Sequence, residues 1–349
     1  MSTSFLIREV AAADLDGLLA VAEHLDTVNL PNDRAVLAEL IERSHKSFSG
    51  ALKVAEREFI FALIAREADG AERLIGTSMV HAQHGTRRAP HIFFDVLADE
   101  RYSESLDRHF VHQILRIGYN YSGPSEIGGL ILLPEFRRHA LGLGRCLSYV
   151  RFLYIALHRS NFRDEVISEL LPKLEPDGTS LLWESLGRHF TGMHYSEADH
   201  VSKTNKEFIR TLFPADPIYT CLLPKAVQEL IGVVGPETRG VEKMLRRIGF
   251  DYAQRIDPFD GGPHFVARTD DVTLVRATTR AKLAAQSGID EAWPLGIVCV
   301  ERDSFPRFAA TPTRYRLEGD EVVLPAPAAA TLGVEKGAAL GVLPLTGNT

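Results

Sequence analysis

The sequence predicts an α/β fold, a central mixed sheet flanked by helices, followed by a small C-terminal β extension. Three observations carry the prediction. Strand-like and helix-like segments alternate in the order strand, helix, strand hairpin, strand, helix, strand, helix, as in a sheet covered by helices. The apolar run EIGGLILLP, bounded by breakers, leads into a long stretch with helical apolar spacing, the pattern of a buried strand turning into a helix. Beyond about residue 280 the composition shifts to short strand-like pieces, alanines and turns.

The elements follow in order. FLIREV reads as a strand, and AAADLDGLLAVAEHL as a helix capped by Asp14, with Leu15, Leu18, Leu19 and Ala22 on one face. FIFALIAR and LIGTSMVHA form a hairpin around Asp69-Gly70. HIFFDVL is a further strand, and residues 103–117 read as helical. After the break YNYSGPSE comes the apolar strand, and then Leu143, Leu147, Val150, Tyr154 and Leu157 recur at helical spacing. DEVISELLP is a strand and TSLLWESLGRHF a helix, separated by Pro172, Pro176, Asp177 and Gly178. ETRGVEKMLRRIGF is a helix, and FDYAQRID and GPHFVART are strands about the turn PFDGGP. WESLGRHFTGMHY and LRRIGFDYAQRID echo each other, which suggests tandem half-domain elements. AKLAAQSGIDEAWP reads as a linker. The expected division is 1–200, 201–280 and a β extension at 290–349 that covers a sheet edge or supports oligomer contacts.

Composition narrows the function classes. The chain has 349 residues, 45% hydrophobic and 24% charged, with a net charge of −7. This is ordinary globular composition, and no basic stripe marks a nucleic-acid binder. Cys146, Cys221 and Cys299 are too sparse for a disulfide framework or a thiolate metal site. No metal is expected. The start MSTSFLIREV has no basic region followed by an apolar one, and YVRFLYIAL is too short to span a bilayer. The expected location is the cytoplasm.

The chemistry concentrates at residues 127–148. Gly142 and Gly144 open a helix directly after a buried strand. Such a junction exposes backbone N–H groups at the positive end of the helix dipole. Arg137, Arg138 and Arg145 add charge. The stretch reads equally as an ordinary turn and as a phosphate cradle.

The opening strand and helix, the hairpin, the apolar strand and the H-x-x-G-x-G of residues 139–144 together resemble the GNAT superfamily of N-acyltransferases, in which Gln or Arg stands where this chain has His139. The resemblance implies a GNAT-like acyl-CoA-binding domain at 1–200 and a second GNAT-like substrate half at 201–280. SEIGGLILLPEFRR, LSYVRFLYIALHRSNFRDEVISEL, LLWESLGRHF, FIRTLFPADPIYTCLLP, VQELIGVVGPET and RIDPFDGGP resemble the arginine N-succinyltransferase family from about Phe5 to Arg276. The tail beyond residue 290 resembles that family's β extension. The resemblance implies transfer of a succinyl group from succinyl-CoA to the α-amine of arginine. It also implies a homo-oligomer or a pairing with a related chain. It places the CoA pyrophosphate on Gly142, Leu143, Gly144 and Arg145 with Arg137 and Arg138, and the pantetheine along Leu130, Ile131, Leu132 and Leu133.

The chain departs from the family twice. Val234-Gly235-Pro236 stands where the family has a V-H-P triplet with its proposed proton donor. Glu169-Leu170-Leu171-Pro172 stands where it has E-M-R-G. Amide formation needs a neutral amine, an oxyanion site and a proton for the thiolate. A backbone amide near Leu130 suits the oxyanion, and Glu126 suits the base. Glu169 is a second base candidate or a partner for the acceptor's cationic end. Trp183 stands where many GNAT enzymes carry a tyrosine acid. His264 or His81 stands in for the missing histidine, or water supplies the proton. Arg87 and Arg88, or Arg137 and Arg138, receive the succinyl carboxylate. The alternatives are another acceptor such as ornithine, and a non-catalytic acyl-CoA-binding subunit.

Overall fold

The computed structural model describes residues 3–23, 30–67, 69–87, 89–202 and 205–345. The chain folds as two compact units, the first from Met1–Gln83, Ser125–Asp164 and Thr269–Thr349, the second from His84–Pro124 and Glu165–Arg268.

In the first unit, strands β1 (Ser4–Glu9), β2 (Glu58–Arg66), β3 (Glu72–His81) and β6 (Ser125–Leu132) lie side by side. All their pairings are antiparallel. β2 is buried along nearly its whole length, so its run EFIFALIAR reads as continuous rather than alternating. Helices α1 (Leu15–Ala22), α2 (Arg34–Phe48) and α3 (Leu143–Leu157) pack on this sheet. α2 starts where the Asp33 carboxylate accepts from the amides of Ala35 and Val36 at 2.8 and 3.1 Å. Residues 148–155 of α3 are all buried, including Ser148 and Arg151, which are hydrogen-bonded to each other. Asp14 does not cap α1. Its carboxylate accepts from the Ala11 amide at 2.7 Å and pairs with Arg8 at 2.7 Å, a buried partner that outcompetes the exposed cap.

The C-terminal segment extends the same sheet. Strands β11 (Thr279–Ser287), β12 (Leu295–Glu301), β13 (Phe308–Arg314), β14 (Arg316–Glu318), β15 (Glu321–Pro325) and β16 (Ala339–Pro344) join it in the order β14-β15-β11-β16-β12-β13-β1. β11 and β15 run parallel, which makes the sheet mixed. AKLAAQS, expected as a linker, is β11. Its alternate residues Ala281 and Leu283 are buried, a period of two that its alanines obscure. β13 pairs with β1, with Ile7 opposite Ala310. Phe308 packs edge-on against Phe61 and Tyr154, with ring centroids 5.4 and 5.3 Å away.

In the second unit, strands β4 (His91–Ser103), β5 (Arg108–Asn120), β7 (Glu165–Glu169), β8 (Ile218–Tyr219), β9 (Asp251–Ile256) and β10 (Pro263–Arg268) form an antiparallel array ordered β7-β10-β9-β4-β5-β8. Residues 103–117, expected as a helix, belong to a hairpin of two 13-residue strands turning at Asp107, whose φ is 47°. Val111, Ile114 and Ile117 fit helical spacing, but they are β-branched, and full-length pairing with β4 outweighs the local pattern. The core centres on Trp183, stacked on Phe259 at 4.8 Å, with Phe94 and Phe213 nearby. No helix among the described residues is long and apolar enough to cross a membrane.

Candidate active site

β6 leaves its ladder at one point. Met79 faces Gly128 and Thr77 faces Ile131, so Gly129 and Leu130 together oppose Ser78. This is a β-bulge, whose extra residue is freed from pairing. Gly129 has φ 55°, and a Cβ there would lie 2.5 Å from Met79 Sδ. Only glycine fits. Arg151 of α3 fastens the bulge. Its Nη1 donates to the Gly128 carbonyl at 3.2 Å, while Nε and Nη2 donate to the Ser148 carbonyl and hydroxyl at 2.9 and 2.8 Å. The side chain is buried, and burial pushes its pKa down to about 9, which leaves it charged at neutral pH.

Past the strand, the Leu133 amide donates to the Ile75 carbonyl at 2.9 Å, and a single tight turn follows at Pro134–Phe136. Gly142 then reverses the chain with φ 63° and ψ 49°. Its amide donates to the His139 carbonyl at 2.8 Å, and its carbonyl accepts from Cys146 at 3.0 Å. The first-turn amides of Leu143, Gly144 and Arg145 therefore lie at the open, positive end of α3. Arg145 Nε is buried with no hydrogen-bond partner among the described residues. Arg137 Nε donates to the Leu132 carbonyl at 3.1 Å, and Arg138 is exposed. Leu130 to Leu133 run from the bulge to the turn. Burial raises the Cys146 thiol to about 12, so the nearby sulfur is no nucleophile.

Glu126 is 4% exposed at the start of β6, opposite His81 on β3. His81 Nε2 lies 3.8 Å from Glu58. Arg87, in the second unit, is exposed on a turn closed by the Thr86 amide donating to the Ala89 carbonyl at 2.8 Å. Arg88 lies outside the described residues.

Glu169 and His264 meet in the second unit, directly opposite each other on β7 and β10. Imidazoles surround the Glu169 Oε1 atom, with His91 Nε2 at 3.0 Å, His264 Nε2 at 3.5 Å and His84 Nε2 at 3.9 Å. His264 is fully buried, and the Glu169 side chain keeps 28% exposure. Burial works to raise the Glu169 carboxyl, but His264, the His91 hydrogen bond and His84 hold it well below its usual range. Next to it the β9–β10 loop folds on its own carboxylates. Asp257 accepts from the Phe259 amide at 2.7 Å, and Asp260 from the Gly262 amide at 2.7 Å. Burial first and the Glu169 charge second raise Asp257 to about 6. Burial first and the Asp257 charge second raise Asp260 well above its ordinary value. The sequence reading missed His84 and His91. The signal was the histidine density of HAQHGTRRAPH.

The two departures from the family pattern adjoin each other. The Gly235 amide donates to the Leu171 carbonyl at 2.9 Å, and a Cβ on Gly235 would lie 2.5 Å from the Pro172 carbonyl oxygen. Trp183 is buried and donates its indole N–H to the Met193 carbonyl at 3.0 Å, so it serves the core.

The family model described as arginine N-succinyltransferase beta subunit matches residues 5–274. The arginine N-succinyltransferase subunit beta of Pseudomonas aeruginosa is 33% identical over 345 residues, covering 98% of each chain. The arginine N-succinyltransferase of Yersinia enterocolitica is 31% identical over 342 residues, covering 97% of each. The solved structure of arginine/ornithine succinyltransferase subunit AI from Pseudomonas aeruginosa superposes with a TM-score of 0.82 at 26% identity, covering 99% of this chain and 100% of that one. With a match this long and relatives this complete, the chain belongs to the arginine N-succinyltransferase beta subunit family.

Proposed function

We propose that this chain is an acyltransferase that moves a succinyl group from succinyl-CoA to the α-amine of arginine, in the cytoplasm. The observation that carries the reading is the junction at Gly142–Arg145, where helix-start amides and a buried guanidinium nitrogen converge just past a bulged strand. That junction suits the CoA pyrophosphate, with Arg138 and Arg137 at its rim. Leu130 to Leu133 accompany the pantetheine. The Leu130 amide, turned out of the ladder by the bulge, takes the developing oxyanion.

Glu126 accepts the proton of the acceptor ammonium. The neutral amine then attacks the thioester carbonyl, the nitrogen gives up its second proton to solvent, and the tetrahedral intermediate collapses with loss of the CoA thiolate. Gly235 has no side chain to protonate that thiolate, and His264 is sealed inside the Glu169 cluster, so solvent supplies the proton. Arg87, with Arg88, receives the succinyl carboxylate. The subunit designation of the Pseudomonas relative supports assembly with a second copy or a related chain.

Gly235 and Pro172 favour a second reading in which the acceptor is ornithine or another amine. One assay decides. Purified protein is mixed with succinyl-CoA and a panel of amines, and free thiol is followed, with Gly142→Asp in parallel. Arginine-dependent release, abolished with CoA affinity in Gly142→Asp, is expected. Release with another amine alone replaces arginine as acceptor. CoA binding without release from any amine marks a non-catalytic subunit. Undiminished CoA affinity in Gly142→Asp refutes the phosphate site.

A further inference from the structure

We infer that His84, His91 and Glu169 of the second unit form a binding site for a divalent transition-metal cation of the zinc class. The inference goes beyond acyl transfer and does not depend on it. The donor set is the first support. Imidazole nitrogens with a carboxylate oxygen suit zinc and its neighbours, whereas magnesium and calcium take oxygen alone.

Spacing is the second. One ligand atom from each of His84, His91 and Glu169 lies within 4.8 Å of the others. Donors held at about 2.0–2.1 Å around a tetrahedral ion sit about 3.3 Å apart. The contacts of His91 and His84 to Glu169 Oε1, at 3.0 and 3.9 Å, bracket that edge. Small ring rotations convert the cluster into a coordination shell.

Placement is the third. Glu169 and His264 are fixed opposite each other on paired strands, and His91 opens a third. Of the three ligands, Glu169 and His91 therefore stand on strands, and His84 comes from the loop before β4. Glu169 and His84, whose side chains keep 28% and 24% exposure, leave an approach for the ion. His264 and Asp257 flank the far side of the same carboxylate. Three protein donors leave one position for water or for an acceptor carboxylate.

The test uses the full chain, purified without a histidine tag and stripped with chelator. Zinc is measured after gel filtration, and cobalt is titrated while its visible absorption is followed. About one equivalent per chain, tetrahedral cobalt bands and a rise in melting temperature on loading are expected. Affinity should fall at least 10-fold in His84→Ala and in His91→Ala, and hold in His109→Ala, an exposed histidine of β5. His84→Ala, at a half-buried position, keeps the test valid if His91→Ala fails to fold. Substoichiometric zinc without cobalt bands, or binding unchanged by both ligand substitutions, overturns the site. None of these readouts requires activity.

Discussion

A carbon added to Gly235 would sit 2.5 Å from the Pro172 carbonyl oxygen, closer than real Cβ contacts come. The backbone at 235 is therefore committed to its neighbour, and the Gly235 amide bond to Leu171 at 2.9 Å fixes the approach. Restoring the family's histidine at this one position should not restore a proton donor. Gly235→His is expected to cost about 1–3 kcal/mol through forced backbone displacement, seen as a lower melting temperature, with no gain in thiol release. A faster, equally stable variant would show that the Leu171–Pro172 segment yields. Residue by residue, the same logic separates the loop glycines. Gly142 is needed for its left-handed backbone, whereas a Cβ on Gly144 would meet only Leu132 at 3.6 Å.

At the scale of elements, β6 and α3 act as one device. The bulge at Gly129–Leu130 has no ladder partner of its own, so its shape depends on the guanidinium beneath it. Arg151→Met keeps apolar volume but strands the Gly128 carbonyl and the Ser148 hydroxyl in a buried place. Losing those partners is expected to cost about 1–3 kcal/mol, read as a lower denaturation midpoint. CoA affinity should fall with it, because the bulge and the start of α3 sit on the same helix–strand contact. An unchanged midpoint and unchanged CoA binding would show that the bulge is held without Arg151. The β4–β5 hairpin illustrates the opposite case, in which long pairing between neighbours overrides a helical pattern in one of them.

For the whole molecule, the C-terminal strands are part of the first unit's sheet. β1 is paired on one side by β2 and on the other by β13. The Thr311 hydroxyl donates to the Phe5 carbonyl at 2.8 Å, and the Arg307 amide to the Glu9 carboxylate at 2.7 Å. A chain ending after Thr278 would bare the β1 edge and lose Phe308, which covers Phe61 and Tyr154. It is expected to be recovered mainly as aggregate, and its soluble fraction to lack the cooperative thermal transition of the full chain. A soluble truncation with the full chain's melting temperature would make the extension dispensable.

The amino-acid order by itself determined the apolar strand, the glycine-led turn and the helix that follows, because these depend on neighbours within about a dozen residues. It also carried the family resemblance, which rests on the order of short stretches. β5 and β11 were misread because their residues fit more than one local period, and only strand pairing chose between them. The bulge at Gly129 needed β3 opposite it to exist at all. The Glu169 cluster was decided by tertiary structure alone. His84 and His91 share one histidine-dense stretch, but residues 169 and 264 come from distant parts of the chain, and antiparallel pairing of β10 with β7 is what sets His264 against Glu169. Their shared electrostatics follow from that pairing and leave no periodic trace in the sequence.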